Sequence, residues 1–105
     1  MKTRDPIKSE IAYLESVISQ IRGGSWEFLY LEGIELHSNH LVQLLVKDEM
    51  NLTPDRVYES ALNVYDDLLE VVFDKALRES ICQRRTTIEE LYWNDVRTAS
   101  RSRQL

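Results

Sequence analysis

Two histidines, His37 and His40, stand three residues apart in the segment SWEFLYLEGIELHSNHLVQLLV, residues 25–46. On a helix that spacing puts both imidazoles on one face, within reach of a common metal ion. A zinc site draws three or four ligands from its protein, however, and the remaining donors, Cys82 and carboxylates such as Glu32, lie at no recognised ligand spacing. Neither histidine follows a glutamate by three residues, as the di-iron bundle pattern requires. No metal and no cofactor is therefore expected. His37 and His40 are the candidate ligands, and a dimer contributing two such pairs would be needed to complete a site. Surface or interface positions are the plainer reading of both rings.

Other chemistries find less support. Nucleophilic catalysis needs Ser, Cys or Thr beside a base and an oxyanion donor, and the chain has no nucleophile elbow. Cys82 stands near Arg84 and Arg85, cations that would activate a thiol on close approach. A lone cysteine among apolar helix positions is more often simple packing. Gly23-Gly24 and Gly33 match neither the dinucleotide fingerprint nor the P-loop. The expectation is a protein that is not an enzyme.

Charge and aromatic residues are the remaining features. Asp66, Glu70 and Asp74 fall at i, i+4 and i+8 with Asp67 beside them, an acidic stripe along one helix face. Like charges at that spacing mildly destabilise a helix, so the stripe serves either solubility or a basic partner. Arg97, Arg101 and Arg103 form a basic strip near the C-terminus, suited to solvent, to an acidic surface such as a second copy's stripe, or to non-specific phosphate contacts. Among the aromatics and large aliphatics, Trp26, Phe28, Leu31, Leu36 and Trp93 are the candidate interface residues, Phe28 and Trp93 because they fall off the apolar stripes.

The elements that must position these residues are helices. Asp5-Pro6 offers an N-cap with proline at the first helical position, and Ile7, Ile11, Leu14, Ile18 and Ile21 follow at the helical period until Gly23-Gly24. Ser25 then caps a second helix whose inward positions are Trp26, Leu29, Tyr30, Gly33, His37, Leu41, Leu44 and Leu45. Residues 28–36 carry an alternative, a short β-hairpin turning at Glu32-Gly33, since aromatic and branched residues favour strands. No further strand-like run extends it, so the helix is preferred, with a close crossing or a break at Gly33. Thr53-Pro54 repeats the cap-then-proline signal before a helix carrying Val57, Tyr58, Ala61, Leu62, Tyr65, Leu68, Leu69, Val72, Phe73, Ala76 and Leu77. Continued to Arg84 it would span about 45 Å, long for a monomer of this size. Thr86 with Glu89, or Thr87 with Glu90, has capping-box spacing and opens a fourth helix that frays into a basic tail over residues 97–105.

Composition agrees. The chain has 105 residues, enough for one compact domain, with 43% hydrophobic and 30% charged residues. Three glycines and two prolines are too few for a many-stranded sandwich. The reading is a single all-α, four-helix bundle-like domain over residues 1–105. One cysteine forms no internal disulfide, and neither a signal peptide nor a run of roughly 20 apolar residues is present. A cytoplasmic protein without a membrane segment is expected. The net charge of −5 is divided between an acidic body and a basic end: residues 1–83 hold 8 Lys/Arg against 15 Asp/Glu, and residues 84–105 hold 5 Arg against 3 acids. An acidic body repels phosphate backbones, which places nucleic acid behind protein as the expected partner. The functional expectation is a small regulator, adaptor or chaperone acting through helix surfaces as a homodimer. The alternatives are a nucleic-acid-associated transcriptional regulator using the Arg-rich C-terminus, and an immunity protein or antitoxin that blocks a basic enzyme.

Overall fold

The structure is a computed structural model that describes the backbone of residues 6–47 and 55–104, and the side chains of 6–47 and 56–94. The caps read at Asp5 and Thr53-Pro54 lie outside the described residues. Four helices follow one another: α1 (Pro6–Arg22), α2 (Leu31–Val46), α3 (Asp55–Val71) and α4 (Lys75–Gln104), with a 3₁₀ turn at Glu27–Tyr30 leading into α2. Among the described residues there is no strand, so the hairpin alternative over 28–36 is overturned. The chain is an all-α bundle.

In α1 the apolar stripe is buried as Ile11, Leu14, Val17 and Ile18, with Ile7 and Ile21 packed at its edges. The helix ends where Gly24 adopts φ 113°, a conformation open to glycine at little cost. Gly24 N–H then donates to Ile21 O and Ser25 N–H to Gln20 O, the bond pair of a Schellman cap.

The second helix begins six residues later than Ser25. Residues 27–30 form the 3₁₀ turn instead, and this tighter winding rotates Trp26 and Leu29 outward into solvent, contrary to their expected inward positions. The buried stripe of α2 is Ile34, Ser38, Leu41, Val42 and Leu45. Gly33 sits within the helix because Tyr13 of α1 lies across it: a Cβ there would collide with the Tyr13 hydroxyl oxygen. Gly33 therefore marks a close helix crossing, and the α-helix is unbroken there.

Two boundaries in the second half differ from the sequence reading. The helix expected from Val57 to Arg84 stops at Val71, and Val72-Phe73-Asp74 turn the chain back on itself. Thr86 and Thr87 cap nothing, because they lie inside α4 and donate their hydroxyls to Cys82 O and Gln83 O one turn earlier. The long helix of this protein is α4, with 30 residues, and its backbone is helical through Gln104, across most of the expected tail.

The helices pack in a ring, α1 on α2, α2 on α4, α4 on α3 and α3 on α1. Their shared core includes two fully buried tyrosines, Tyr58 and Tyr65. Tyr65 reaches across the ring from α3 and donates its hydroxyl to Ser38 O of α2 at 2.5 Å. Arg84 of α4 closes the same layer, bonding the Ser38 hydroxyl at 2.8 Å and the Glu35 carboxylate.

Candidate functional site

The histidine pair is held from α1. Glu10 Oε1 lies 2.5 Å from His37 Nδ1 and its Oε2 lies 2.6 Å from His40 Nδ1, so one carboxylate bridges both rings. Burial raises the Glu10 pKa, but the hydrogen bonds from His40 and His37 and their positive charge when protonated outweigh it, and the net shift is downward. An ionised carboxylate only accepts, so each Nδ1 must carry a proton, and in the neutral rings Nε2 is the basic nitrogen. His37 also stacks on Tyr13, ring centroids 4.0 Å apart. This is an oriented imidazole pair, and it fastens α1 to α2 at the crossing over Gly33. Among the described residues no group of three or more His, Cys, Asp or Glu side chains has an arrangement that would hold a metal ion.

Glu10 was not legible as the partner of the histidines, being 27 and 30 residues away in sequence. Its only signal was its position beside the buried stripe of α1, one residue before Ile11. The bridge predicts a specific acid response. Because the folded pKa of Glu10 is lowered, its contribution is complete above the ordinary carboxylate value of about 4.3 and is lost as pH falls through the folded value. Glu10→Gln is expected to lower the unfolding free energy by about 1–2 kcal/mol at neutral pH, and the deficit should shrink in acid. Urea titrations of both proteins between neutral pH and pH 2 measure this. A deficit that is flat with pH would mean that the carboxylate charge does not carry the bridge.

The second cluster is aromatic and lies at one end of the bundle. Glu27, in the 3₁₀ turn, accepts Phe73 N–H at 2.9 and 2.8 Å and Asp74 N–H at 3.2 Å, joining that turn to the corner between α3 and α4. The side chains around this joint point outward. Trp26 is 69% exposed, Phe28 57% and Phe73 75%, and the Trp26 and Phe28 rings touch with centroids 5.4 Å apart. Of the other candidate interface residues, Leu36 is exposed on α2, Leu31 is packed partly into the core, and Trp93 is exposed on α4, edge-on to Tyr92. Phe73, an inward position on helical periodicity alone, is turned out by the break at Val72.

The acidic stripe is engaged within the chain. Arg85 bonds Asp66 at 2.6 Å, Arg22 lies 3.6 Å from Asp67 and 2.8 Å from Glu70, and Asp74 accepts Leu77 N–H at 3.0 Å as the cap of α4. These exposed pairs are worth little individually, but they divide the stripe between α1 and α4. Arg97, Arg101 and Arg103 lie on the last turns of α4, and their side chains lie outside the described residues. Among the described residues no helix is long and apolar enough to cross a membrane. Comparison of the chain with protein-family models, with curated proteins and with solved structures gives no match in any of the three.

Proposed function

We propose that the chain is a small non-enzymatic protein-interaction module, a regulator, adaptor or chaperone that works through helix surfaces as a homodimer. The aromatic end carries this reading. Three large aromatics leave more than half of their surface in water on a corner that Glu27 ties down, and large aromatics are the side chains most enriched in binding hot spots. Core packing does not account for their exposure. The dimer reading is motivated by the length of α4, whose 30 residues span about 45 Å.

The test replaces Trp26, Phe28 and Phe73 together by serine. Exposed substitutions of this kind change stability by about 0.5 kcal/mol or less each, so the variant should fold. Immobilised wild type is expected to retain a partner from extract of its native cells, and the variant to retain it at least about tenfold more weakly. Equal retention by both proteins would remove the aromatic end as the binding surface. Light scattering across a dilution series tests the homodimer, and a monomer at every concentration would remove that half of the reading.

A further inference from the structure

We propose that His37 and His40 form half of a zinc site whose ligands are their two Nε2 atoms, completed by the same pair of a second copy. The proposal rests on the homodimer reading and puts a metal at the dimer axis. Spacing alone offers two imidazoles with nothing to orient them, and Glu10 is the orienting group: its two oxygens accept the two Nδ1–H groups at 2.5 and 2.6 Å. A histidine that binds a metal through one nitrogen characteristically donates its other N–H to a carboxylate, which fixes the tautomer, holds the ring and raises the basicity of the ligand nitrogen. Here one carboxylate does this for both rings.

Each ring is left with Nε2 as the basic nitrogen that does not face Glu10. The carboxylate lies behind the pair with 12% of its side chain exposed, whereas His37 keeps 32% and His40 50% in water. Stacking on Tyr13 holds the plane of the His37 ring as well. Three residues apart on α2, the imidazoles share one helix face, within reach of one ion. Fastening α1 to α2 needs only one of them, and an exposed second pair adds little to stability, so packing does not account for the doubling.

The ligand count brings in the second copy. A closed zinc site takes four ligands, and among the described residues no further histidine, cysteine or carboxylate joins the pair as a third. Two copies related by a twofold axis through the ion supply four imidazole nitrogens, an isologous arrangement. Imidazole suits zinc, and zinc has no d-electron preference for one geometry, so it accepts the angle at which the two α2 helices meet. Leu36, 64% exposed and one turn before His40, offers the approaching copy an apolar contact beside the ion. The dication also offsets the repulsion between two chains that each carry a net charge of −5.

The experiment titrates zinc into the full, untagged, ¹⁵N-labelled chain and follows the mass by light scattering and the imidazole nitrogens by NMR. The expected result is one zinc per two chains, with Nε2 shifted on both rings and both Nδ1 still protonated. The dimer dissociation constant should be about tenfold or more lower in zinc than in EDTA. Glu10→Gln should bind zinc about 10–100-fold more weakly, and circular dichroism checks that it is folded. His40→Ala, at a half-exposed position, should fold and lose the zinc-dependent dimer, while Cys82→Ser should behave as wild type. Wild-type zinc affinity in Glu10→Gln or His40→Ala overturns the proposal, as does zinc uptake that is lost with Cys82. One zinc per chain without dimerisation overturns it too. A dimer indifferent to zinc overturns the site and leaves the homodimer reading standing, whereas a monomer in both zinc and EDTA removes both.

Discussion

Tyr65→Ala is expected to lower the unfolding free energy by about 3–5 kcal/mol, and Tyr65→Phe by about 1 kcal/mol. The ring is fully buried where α3 faces α2 across the ring of helices, so truncation to alanine leaves a cavity that neighbours on both helices border. The hydroxyl contributes less, because the Ser38 carbonyl it bonds belongs to an α-helix. Against a typical total of about 5–15 kcal/mol, the alanine variant should be partly unfolded at ambient temperature. Chemical denaturation of the two variants separates ring from hydroxyl. If alanine and phenylalanine cost the same, the hydroxyl bond and not the packing would dominate.

The same side chain sets an alkaline limit. Burial pushes the Tyr65 phenol well above its ordinary value, with the nearby Arg84 charge pulling it down and Glu10 pushing it further up. A raised folded pKa contributes stability that is complete below the unfolded value of about 10 and is lost as pH rises through the folded one. Tyr65→Phe should flatten that loss, so the stability difference between wild type and Tyr65→Phe narrows above pH 10.

Why the stripes were legible and the joints were not follows from where each signal resides. Ile11, Leu14 and Ile18 announce α1 because amphipathic periodicity is local. The same is true of Val57, Tyr58, Ala61, Tyr65 and Leu68 in α3, all of them buried. The Gly24 cap was legible for the same reason, being written in two adjacent glycines. By contrast, the bridge on His37 and His40 depends on Glu10, and the corner that carries Phe73 is tied by Glu27, 46 residues earlier. Periodicity continues through Val72, Phe73, Ala76 and Leu77 without interruption, and the local sign of a break, Asp74 as N-cap of α4, is masked by its place in the acidic stripe. The tie that holds the stop, from Glu27, is tertiary, whereas Thr86 and Thr87 lie inside α4, where i−4 carbonyls accept their hydroxyls in place of a capping box. Charged pairs are opaque in the same way: Asp66 looked like part of a free stripe because Arg85 lies on the next helix.

The corner at residues 72–74 gives the second large effect. Replacing Glu27 and Asp74 together by alanine is expected to cost about 2–3 kcal/mol, since each acts as a helix cap worth about 1 kcal/mol or somewhat more. Glu27 accepts the Phe73 and Asp74 N–H groups, Asp74 accepts that of Leu77, and the two carboxylates lie where the positive end of the 30-residue α4 dipole favours them. Arg78 seals the other side of the corner by donating to Leu69 O and, at 2.7 Å, to Val72 O at the end of α3. With the acceptors gone, those N–H groups are left to water or to carbonyls one turn back, which is the continuous helix that local periodicity favours. The native turn should still prevail, because α3 and α4 bury Tyr65, Leu68, Leu77 and Ile81 by folding back on the bundle. Its opening should become easier, and amide exchange at Phe73, Asp74 and Leu77 should accelerate by about tenfold or more, in proportion to the lost caps. The 3₁₀ turn loses its tie to the corner in the same variant, so partner binding at Trp26, Phe28 and Phe73 should weaken although none of the three is altered. A double variant with unchanged exchange and stability within about 0.5 kcal/mol of wild type would show that water replaces both carboxylates without loss and that the corner is set by core packing alone.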